Sequence, residues 1–366
     1  MEKIGQNNSF YVEPEKEGAG FMSRYPETTK MTWSVRKFHK EELYVSKKME
    51  SNVYEAGDVV MVMVTKVANH TRIYTADNKF LRLYKGDIIV GTLGYRYASD
   101  AFHANSIDLS NLHLLTNSGL IGTVTSRHSE TIEPTRLKLI GIVSDHKDFE
   151  PINLKSALFK PGKKGLTYPP VIFVIGTGMN SGKTTTTARI GHSLVENGLS
   201  VSLLKVTGSV AYRDLFEFES TGARYTADFS DYGFPSTYMC PQEELVGLYS
   251  RMLEDTLSSK PDVILVEIAD GILQRETQLL LKSNLAKSTS VGVILTAPCA
   301  CSALTLVGKV KELNYSPIAV SGIITNSPLF VEEFATYDST PVLDTNGNRH
   351  QFVDLISRRL EIPVLV

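Results

Sequence analysis

The sequence has few cysteines, almost no net charge and no long apolar run. Its 366 residues include three cysteines, Cys240, Cys299 and Cys301, which are too few for a disulfide framework. A formal net charge of −2 gives no support to a role in coating nucleic acid. The longest apolar candidate, residues 169–175, is too short to cross a bilayer. We therefore expect no nucleic-acid partner and no membrane partner.

Two further absences, of a signal-peptide core and of a second cysteine pair, bear on the location of the protein and on the chemistry of its cysteines. The first nine residues lack the apolar core of a secretory signal peptide, so we expect a cytoplasmic protein. One residue separates Cys299 from Cys301, which is shorter than the spacing of a zinc knuckle, and no second pair exists. A metal or redox site at these cysteines is therefore not expected. An apolar fraction of 42% is that of an ordinary globular protein, and the length favours two domains.

The N-terminal half is predicted to be an arm followed by a β domain. Residues 1–50 are polar and rich in charge, which indicates an irregular arm. Residues 51–160 contain short apolar runs separated by turn residues, as is typical of a small all-β barrel or sandwich. The predicted strands cover residues 59–64, 71–75, 80–84, 87–93, 120–125 and 137–143. The Pro/Gly-containing residues 161–165 read as a linker.

The pattern changes at residue 168 to alternating strands and helices, which continue to residue 366. This alternation predicts an α/β domain with a doubly wound, mostly parallel sheet. The predicted strands cover residues 171–175, 201–204, 262–266, 291–296 and 318–325, and the predicted helices after the first cover 243–257, 302–313 and 350–360.

The most informative segment is residues 171–187. A buried strand, Val171–Ile175, leads into a glycine-rich turn that ends in Gly182-Lys183-Thr184, and a helix follows. In this setting the backbone N–H groups of the turn point at phosphate oxygens. Lys183 would reach the β- and γ-phosphates, and the Thr184 hydroxyl would ligate Mg²⁺. The predicted nucleotide-binding residues of the loop are Gly178, Asn180, Ser181, Gly182, Lys183, Thr184 and Thr185.

Polar residues in three further segments join the predicted site, since ligands gather at the carboxyl ends of parallel strands. Lys205 ends the second strand, and Glu267 ends the strand that begins at Asp262. Glu267 is expected to hold Mg²⁺ with Thr184. Asp228, Asp214 and Asp231 lie in the long segment after the second strand, from which a substrate contact or a second metal contact could come, and Asp228 is the second candidate metal ligand. Asn326, at the end of the strand over residues 318–325, is a candidate for reading a purine base. Asp270 is a weaker candidate for the same ion or for water activation.

The C-terminal half, from residue 170 to near residue 360, resembles the dethiobiotin synthetase and cobyrinic acid a,c-diamide synthase group of P-loop proteins, which is related to ATPases of the ParA/MinD type. The loop Gly176–Thr184 is similar to the group's Gly-Thr-x-x-x-x-Gly-Lys-Thr. Supporting similarities are Asn197–Val201 leading to Lys205, Val266-Glu267, and Gly322–Asn326. Thr177 stands where the ParA/MinD-type signature lysine would be, which argues against an ATP-sandwich dimer of that kind.

The resemblance implies an enzyme that uses ATP and Mg²⁺ to phosphorylate a small carboxylate, which a nitrogen nucleophile then attacks. It implies that Lys183, Lys205 and Glu267 are catalytic, that Lys205 faces the second substrate and that Asn326 contacts adenine. The residues Ile268-Ala269-Asp270-Gly271 depart from the more glycine-rich segment of dethiobiotin synthetase. We expect a small-molecule carboxylate as the substrate and a homo-oligomer, a dimer or larger.

Two other functions stay open. One is a regulatory or assembly NTPase that acts on a protein partner through the β domain. The other is an N-acyltransferase that uses the loop for the phosphates of a CoA-type donor; a group of P-loop proteins with an N-terminal domain, some of which acylate D-amino acids, is similar in outline. The absence of an Asn/Thr-Lys-x-Asp motif favours ATP over GTP.

Overall fold

The computed structural model describes residues 22–23, 28–39, 43–46, 54–145, 151–163, 165–347 and 349–361. The N-terminal part is built from strands. They are β1 (Met22–Ser23), β2 (Lys30–Met31), β3 (Leu43–Ser46), β4 (Val59–Lys66), β5 (Arg72–Tyr74), β6 (Phe80–Arg82), β7 (Ile88–Leu93), β8 (Phe102–His103), β9 (Leu112–Leu114), β10 (Leu120–Gly122), β11 (Ser126–Arg127) and β12 (Arg136–Asp145).

Five of these strands close into a barrel. They pair in the order β12, β4, β7, β10 and β9, and β9 pairs back to β12. The valine-rich β4 is buried on both faces: Val60, Val62 and Val64 lie in one apolar cluster, and Val59 and Met61 lie in another. A strand covered on both sides needs a continuous apolar run, which explains why β4 lacks the usual alternation of apolar and polar residues.

The described parts of the segment expected to be a polar arm belong to this barrel. Strand β2 pairs in parallel with β7, and β3 pairs antiparallel with β12. A 3₁₀ helix at Trp33–Val35 follows β2, and its three residues are buried. The arm has few periodic apolar residues because these pieces are too short to show a period. The rest of the predicted arm lies outside the described residues.

The C-terminal part combines strands and helices. The strands are β13 (Val171–Gly176), β14 (Val201–Lys205), β15 (Tyr225–Asp228), β16 (Val263–Ile268), β17 (Ser290–Thr296) and β18 (Pro317–Ser321). The helices, of which the first precedes β13, are α1 (Leu154–Leu158), α2 (Lys183–Glu196), α3 (Tyr212–Glu219), α4 (Gln242–Thr256), α5 (Arg275–Lys282), α6 (Asn284–Thr289), α7 (Ala300–Glu312), α8 (Pro328–Tyr337) and α9 (Arg349–Leu360). Shorter 3₁₀ helices occupy Phe229–Tyr232, Leu257–Ser259 and Gly322–Asn326.

The six strands form one parallel sheet in the order β15, β14, β16, β13, β17 and β18. Alternate residues of β13 enter different cores: Val171, Phe173 and Ile175 lie in one, and Ile172 and Val174 lie in the other. Strand β13 is thus central, and its carboxyl end brings the glycine-rich turn to the middle of the sheet edge. This position is where a parallel sheet binds ligands.

Several strands are shorter than the sequence indicates: β5, β6 and β10 end at Tyr74, Arg82 and Gly122, where strands to residues 75, 84 and 125 were expected. We expected a strand over residues 318–325, but β18 ends at Ser321 and a 3₁₀ helix follows. Gly322 has φ +85°, which ends the extended backbone. Within the described ranges, no helix is both long and apolar enough to span a bilayer.

Candidate functional site

The glycine-rich turn forms a cradle between β13 and α2. Helix α2 begins at Lys183, and the residue before it, Gly182, has φ +97°. A Cβ atom on Gly182 would lie 3.0 Å from the Cα atom of Gly322, so this position requires glycine for both backbone and space. Asn180 is also left-handed, with φ +56°. The turn therefore exposes the first N–H groups of α2, which have no partner within the helix and favour anions.

Lys183 is buried inside this turn. Its Nζ atom donates to the carbonyl oxygens of Gly178 at 2.8 Å and Asp270 at 2.6 Å. Burial lowers the pKa of Lys183, while the carboxylates of Glu267 and Asp270 oppose that shift. The amine is held at the cavity by these two carbonyl oxygens, where it would bind the outer phosphates of a nucleotide.

Thr184 and Glu267 lie together, as the sequence predicts for a metal site. The Thr184 hydroxyl donates to Glu267 Oε1 at 3.2 Å. The other carboxylate oxygen, Glu267 Oε2, is buried and has no hydrogen-bond partner. A buried carboxylate oxygen without a partner is costly unless a cation or a water occupies the site. These residues fit Mg²⁺, which binds through a hydroxyl, a carboxylate, waters and phosphate oxygens. The described residues contain no group of three or more His, Cys, Asp or Glu side chains suited to a metal.

Lys205 joins the site from the end of β14. Its Nζ atom lies 2.5 Å from Asp214 Oδ2 and 3.0 Å from Glu267 Oε1. Burial alone would lower the pKa of Lys205, but these two carboxylates raise it above its ordinary value. The side chain is therefore a buried, permanently charged cation between the metal-site carboxylate and the first turn of α3.

The turn and the strand ends surround a cavity of about 390 Å³. Its lining contains three residues named from the sequence as catalytic, Lys183, Lys205 and Glu267, together with Asn180, Gly182, Thr184 and Thr185. Met179, Asp214, Ala269 and Asp270 also line it. Asp214 is one of the three aspartates expected to contribute a substrate or metal contact, but its ion pair with Lys205 was not predicted, because α3 lies in a polar segment where no helix was predicted. Its position four residues before Phe218, a buried residue on the same helix, is the signal that was available.

Four predicted site residues are not part of the cavity lining. Gly178 and Ser181 belong to the turn: the Gly178 carbonyl oxygen accepts from Lys183, and the Ser181 hydroxyl bonds Thr296 Oγ1 at 2.8 Å. Asn326 is exposed at the end of its 3₁₀ helix. Asp228 is buried on β15, where it accepts from the backbone N–H of Ser230 at 2.7 Å. These four residues do not line the cavity.

Asp228 takes part in the contact between the two parts of the chain. Its Oδ1 atom lies 3.8 Å from Arg36 Nη2, and the same guanidinium lies 2.7 Å from Asp231. Burial and the charge of Asp231 raise the pKa of Asp228 to about 6 despite Arg36. The carboxylate is held by the residues around it and faces the barrel, so we do not include it in the metal site.

The barrel reaches the phosphate cradle itself. Asp100, in the loop that follows β7, accepts a hydrogen bond from Asn180 Nδ2 at 2.6 Å. A second contact is made by α3: Tyr212 stacks on Tyr74 with ring centroids 3.8 Å apart, and Phe216 lies edge-on to Trp33 at 5.4 Å. The barrel therefore touches both the cradle and the helix that carries Asp214.

A parallel sheet with a central strand, a glycine-rich turn and a lysine at the start of the following helix defines the class as a P-loop nucleotide-binding protein. Neither a protein-family model nor a curated protein matches the chain. Among solved structures, it is similar to the signal recognition particle receptor FtsY from Elizabethkingia anophelis at 17% identity, over 55% of this chain and 70% of that one, with a TM-score of 0.36.

Two further solved structures are similar at the same level. The first is the signal recognition particle 54 kDa protein from Aeropyrum pernix K1 in complex with GDP, at 17% identity over 53% of this chain and 49% of that one, with a TM-score of 0.35. The second is chloroplast FtsY from Physcomitrella patens, at 16% identity over 58% of this chain and 62% of that one, with a TM-score of 0.32. Likeness of this degree carries no inference about activity.

Proposed function

We propose that this protein is a Mg²⁺-dependent nucleoside triphosphatase whose bound nucleotide controls the N-terminal barrel. This is the regulatory NTPase that the sequence left open as an alternative. The observation that carries it is the hydrogen bond between Asn180 of the phosphate cradle and Asp100 of the barrel. If nucleotide binding moves the cradle, the hydrogen bond from Asn180 to Asp100 of the barrel changes with it.

Lys205 supports the same proposal through electrostatics. It is shared between Glu267 in the metal site and Asp214 on α3. A terminal phosphate in the cavity adds a third anion that competes with Asp214 for the same ammonium group. Weakening of the Lys205–Asp214 ion pair frees the first turn of α3, and α3 is packed on the barrel through Tyr212 and Phe216. Loss of the terminal phosphate restores the pair.

The activation of a carboxylate by phosphorylation receives less support. The cavity supplies Lys205 for a second anion, but within the described residues both ion-pair partners of this lysine are carboxylates of the protein itself. A carboxylate substrate, ATP as the particular nucleotide, and a homo-oligomer therefore remain predictions, as does the N-acyltransferase alternative.

The first experiment is calorimetric titration of the whole chain with ATP, GTP and CoA, with and without Mg²⁺. The proposal expects a nucleoside triphosphate to bind with Mg²⁺ and CoA not to bind. Hydrogen exchange measured on the same complexes should then show changed protection at residues 95–104 and in α3. A nucleotide that binds without changing exchange in either region would contradict the control of the barrel.

A second assay separates the alternatives. Release of the nucleoside diphosphate is measured with a panel of small carboxylic acids, and sedimentation velocity is measured with each nucleotide. If the protein is a regulatory NTPase, it should hydrolyse the nucleotide slowly, and the acids should not stimulate that hydrolysis. Strong stimulation by one acid class would identify the ligase instead, and binding of CoA in place of a triphosphate would identify the acyltransferase.

A further inference from the structure

Asp270 stands out because its backbone is in a conformation that costs free energy. Its φ is +61°, in the left-handed region that residues with a Cβ atom rarely adopt. The residue follows β16 by two positions and lines the phosphate cavity. A strained residue inside a binding cavity is retained where its side chain has a task, because glycine would adopt the same backbone without strain.

The segment around Asp270 is fixed against the phosphate cradle. Lys183 Nζ donates to the Asp270 carbonyl oxygen at 2.6 Å, and the backbone N–H of Ile272 donates to the Gly176 carbonyl oxygen at 2.9 Å. Gly271 lies so close that a Cβ atom there would be 2.4 Å from the Thr177 carbonyl oxygen. The position of the Asp270 side chain is therefore set by the loop that would hold the phosphates.

The Asp270 carboxylate is available for chemistry. Within the described part of the chain it has no hydrogen bond and no ion pair closer than 4.0 Å, in contrast to Glu267 and Asp214, which both contact Lys205. Lys183, Lys205 and Arg96 are the cations that act on it at longer range, and Glu276 is the other acid. Burial raises the pKa of the Asp270 carboxyl to about 6, with the three cations opposing and Glu276 reinforcing that rise.

We propose that Asp270 is the catalytic base that takes the proton from the water that attacks the terminal phosphate. The inference rests on the proposed triphosphatase function and assigns a residue to its chemical step. As the water oxygen bonds to the γ-phosphorus, the bond from that phosphorus to the β,γ-bridging oxygen breaks. The water proton passes to the Asp270 carboxylate, nucleoside diphosphate and inorganic phosphate leave, and the proton returns to solvent. No oxidant or further reactant is needed.

Two of the three acids that line the cavity, Glu267 and Asp270, then have separate roles. Glu267, with its buried oxygen beside Thr184, serves the metal ion. Asp270, which lines the same cavity and whose carbonyl oxygen accepts from Lys183, serves the nucleophile. A carboxyl whose pKa is about 6 is mostly ionised at neutral pH and still basic enough to accept a proton, as general-base catalysis requires.

The test compares the whole wild-type chain with Asp270→Asn and Asp270→Gly. Asp108→Asn, an exposed carboxylate of the barrel, is the matched control. Binding of ATP and GTP with Mg²⁺ is measured by calorimetry. Hydrolysis of the better-bound nucleotide, labelled at the γ-phosphate, is then followed in a single turnover with enzyme in excess, from pH 5 to pH 9.

We expect Asp270→Asn to bind the nucleotide within about 3-fold of wild type and to hydrolyse it roughly 100-fold more slowly, since a general base contributes about 10²–10⁴ in rate. The wild-type rate should rise with pH through the acid range and level off, and this rise should vanish in the variant. Asp270→Gly should hydrolyse the nucleotide as slowly as Asp270→Asn does. It should melt at a higher temperature than wild type, because the glycine removes the backbone strain. Asp108→Asn should match wild type.

Three results would overturn the assignment. They are a single-turnover rate in Asp270→Asn within 3-fold of wild type, an equal loss of binding and rate, or a wild-type protein that binds the triphosphate but does not hydrolyse it. Failure of the wild type to bind any triphosphate is a different result, seen in calorimetry alone, and it removes the proposed function together with the role of Asp270.

Discussion

Asn180 and Asp100 lie 80 residues apart in the chain and are joined by a hydrogen bond of 2.6 Å from Nδ2 to Oδ2. Asn180 lies in the phosphate cradle with a left-handed backbone, φ +56°, and Asp100 belongs to the barrel. Because Asn180 belongs to the nucleotide-binding turn, a ligand that binds to this turn would change the hydrogen bond to Asp100. This pair is the most direct structural link between the predicted nucleotide site and the N-terminal domain.

Replacement of Asp100 tests this link. In Asp100→Ala the amide of Asn180 loses its acceptor, so the nucleotide-dependent change in hydrogen exchange at residues 95–104 should fall by more than half. The bond is exposed, and the free energy of unfolding should fall by about 1 kcal/mol or less. Asp108→Ala, in the same domain, is the control. Unchanged nucleotide-dependent protection in Asp100→Ala would show that the two domains communicate by another route.

Lys183→Ala should remove nucleotide binding and leave the fold intact. The Nζ atom bonds two carbonyl oxygens of neighbouring turns, and a charge-assisted hydrogen bond to phosphate contributes about 2 kcal/mol, so the dissociation constant should rise by roughly 30-fold or more. Calorimetry measures binding, and circular dichroism confirms the fold. Lys309→Ala, which removes an exposed lysine of α7, should bind like wild type. Normal affinity in Lys183→Ala would refute the site.

Glu267→Gln should separate metal-dependent turnover from binding. The variant keeps the size of the side chain but removes the charge from the buried oxygen that has no hydrogen-bond partner. We expect the Mg²⁺-dependent hydrolysis rate to fall by roughly 100-fold and nucleotide binding without Mg²⁺ to change little. The exposed Glu312→Gln is the control. Equal losses of binding and hydrolysis in Glu267→Gln would indicate a purely structural role, through its ion pair with Lys205.

The central features of the site could be predicted because they depend on local chemistry. A strand, a glycine-rich turn and Lys183 form one continuous segment, and Lys205 and Glu267 each end a buried apolar run. Asp214 could be named only as one of three candidate acids in its segment, and its ion pair with Lys205 could not be predicted, because it depends on the packing of α3 against a barrel that is distant in sequence. Asp228 misled for the same reason: it does end a strand, but Arg36 of the barrel holds its carboxylate.

The barrel, too, could be predicted from the sequence only in part. The valine-rich β4 and the alternating β12 could be recognised from their composition, whereas the two-residue strands β8 and β11 form only because they pair with each other. Residues 28–39 have no periodic pattern, yet Trp33 and Val35 are buried against the barrel. Short segments take their conformation from tertiary contacts, which a sequence pattern does not contain.

The environment of His70 in the barrel predicts that the folded protein loses stability in acid. Its Nε2 atom donates to the Leu115 carbonyl oxygen at 2.9 Å, and its ring lies edge-on to Phe102. Burial lowers the pKa of His70 to about 4, and the charge of Arg96 adds to that effect against the hydrogen bond to Leu115. The unfolded chain, with an ordinary pKa of 6.5, therefore binds the proton first as the pH falls.

The stabilising contribution of neutral His70 is complete above pH 6.5 and decreases as the pH falls toward 4. Between pH 7.5 and pH 4.5 the free energy of unfolding of the wild type should fall by about 2 kcal/mol more than that of His70→Gln, which retains an N–H donor but does not titrate. Urea unfolding at the two pH values measures both proteins, and the carboxylates common to both cancel in the difference. If the wild type and His70→Gln lose stability in parallel, His70 is protonated in the folded barrel at no cost and its burial has no effect on acid stability.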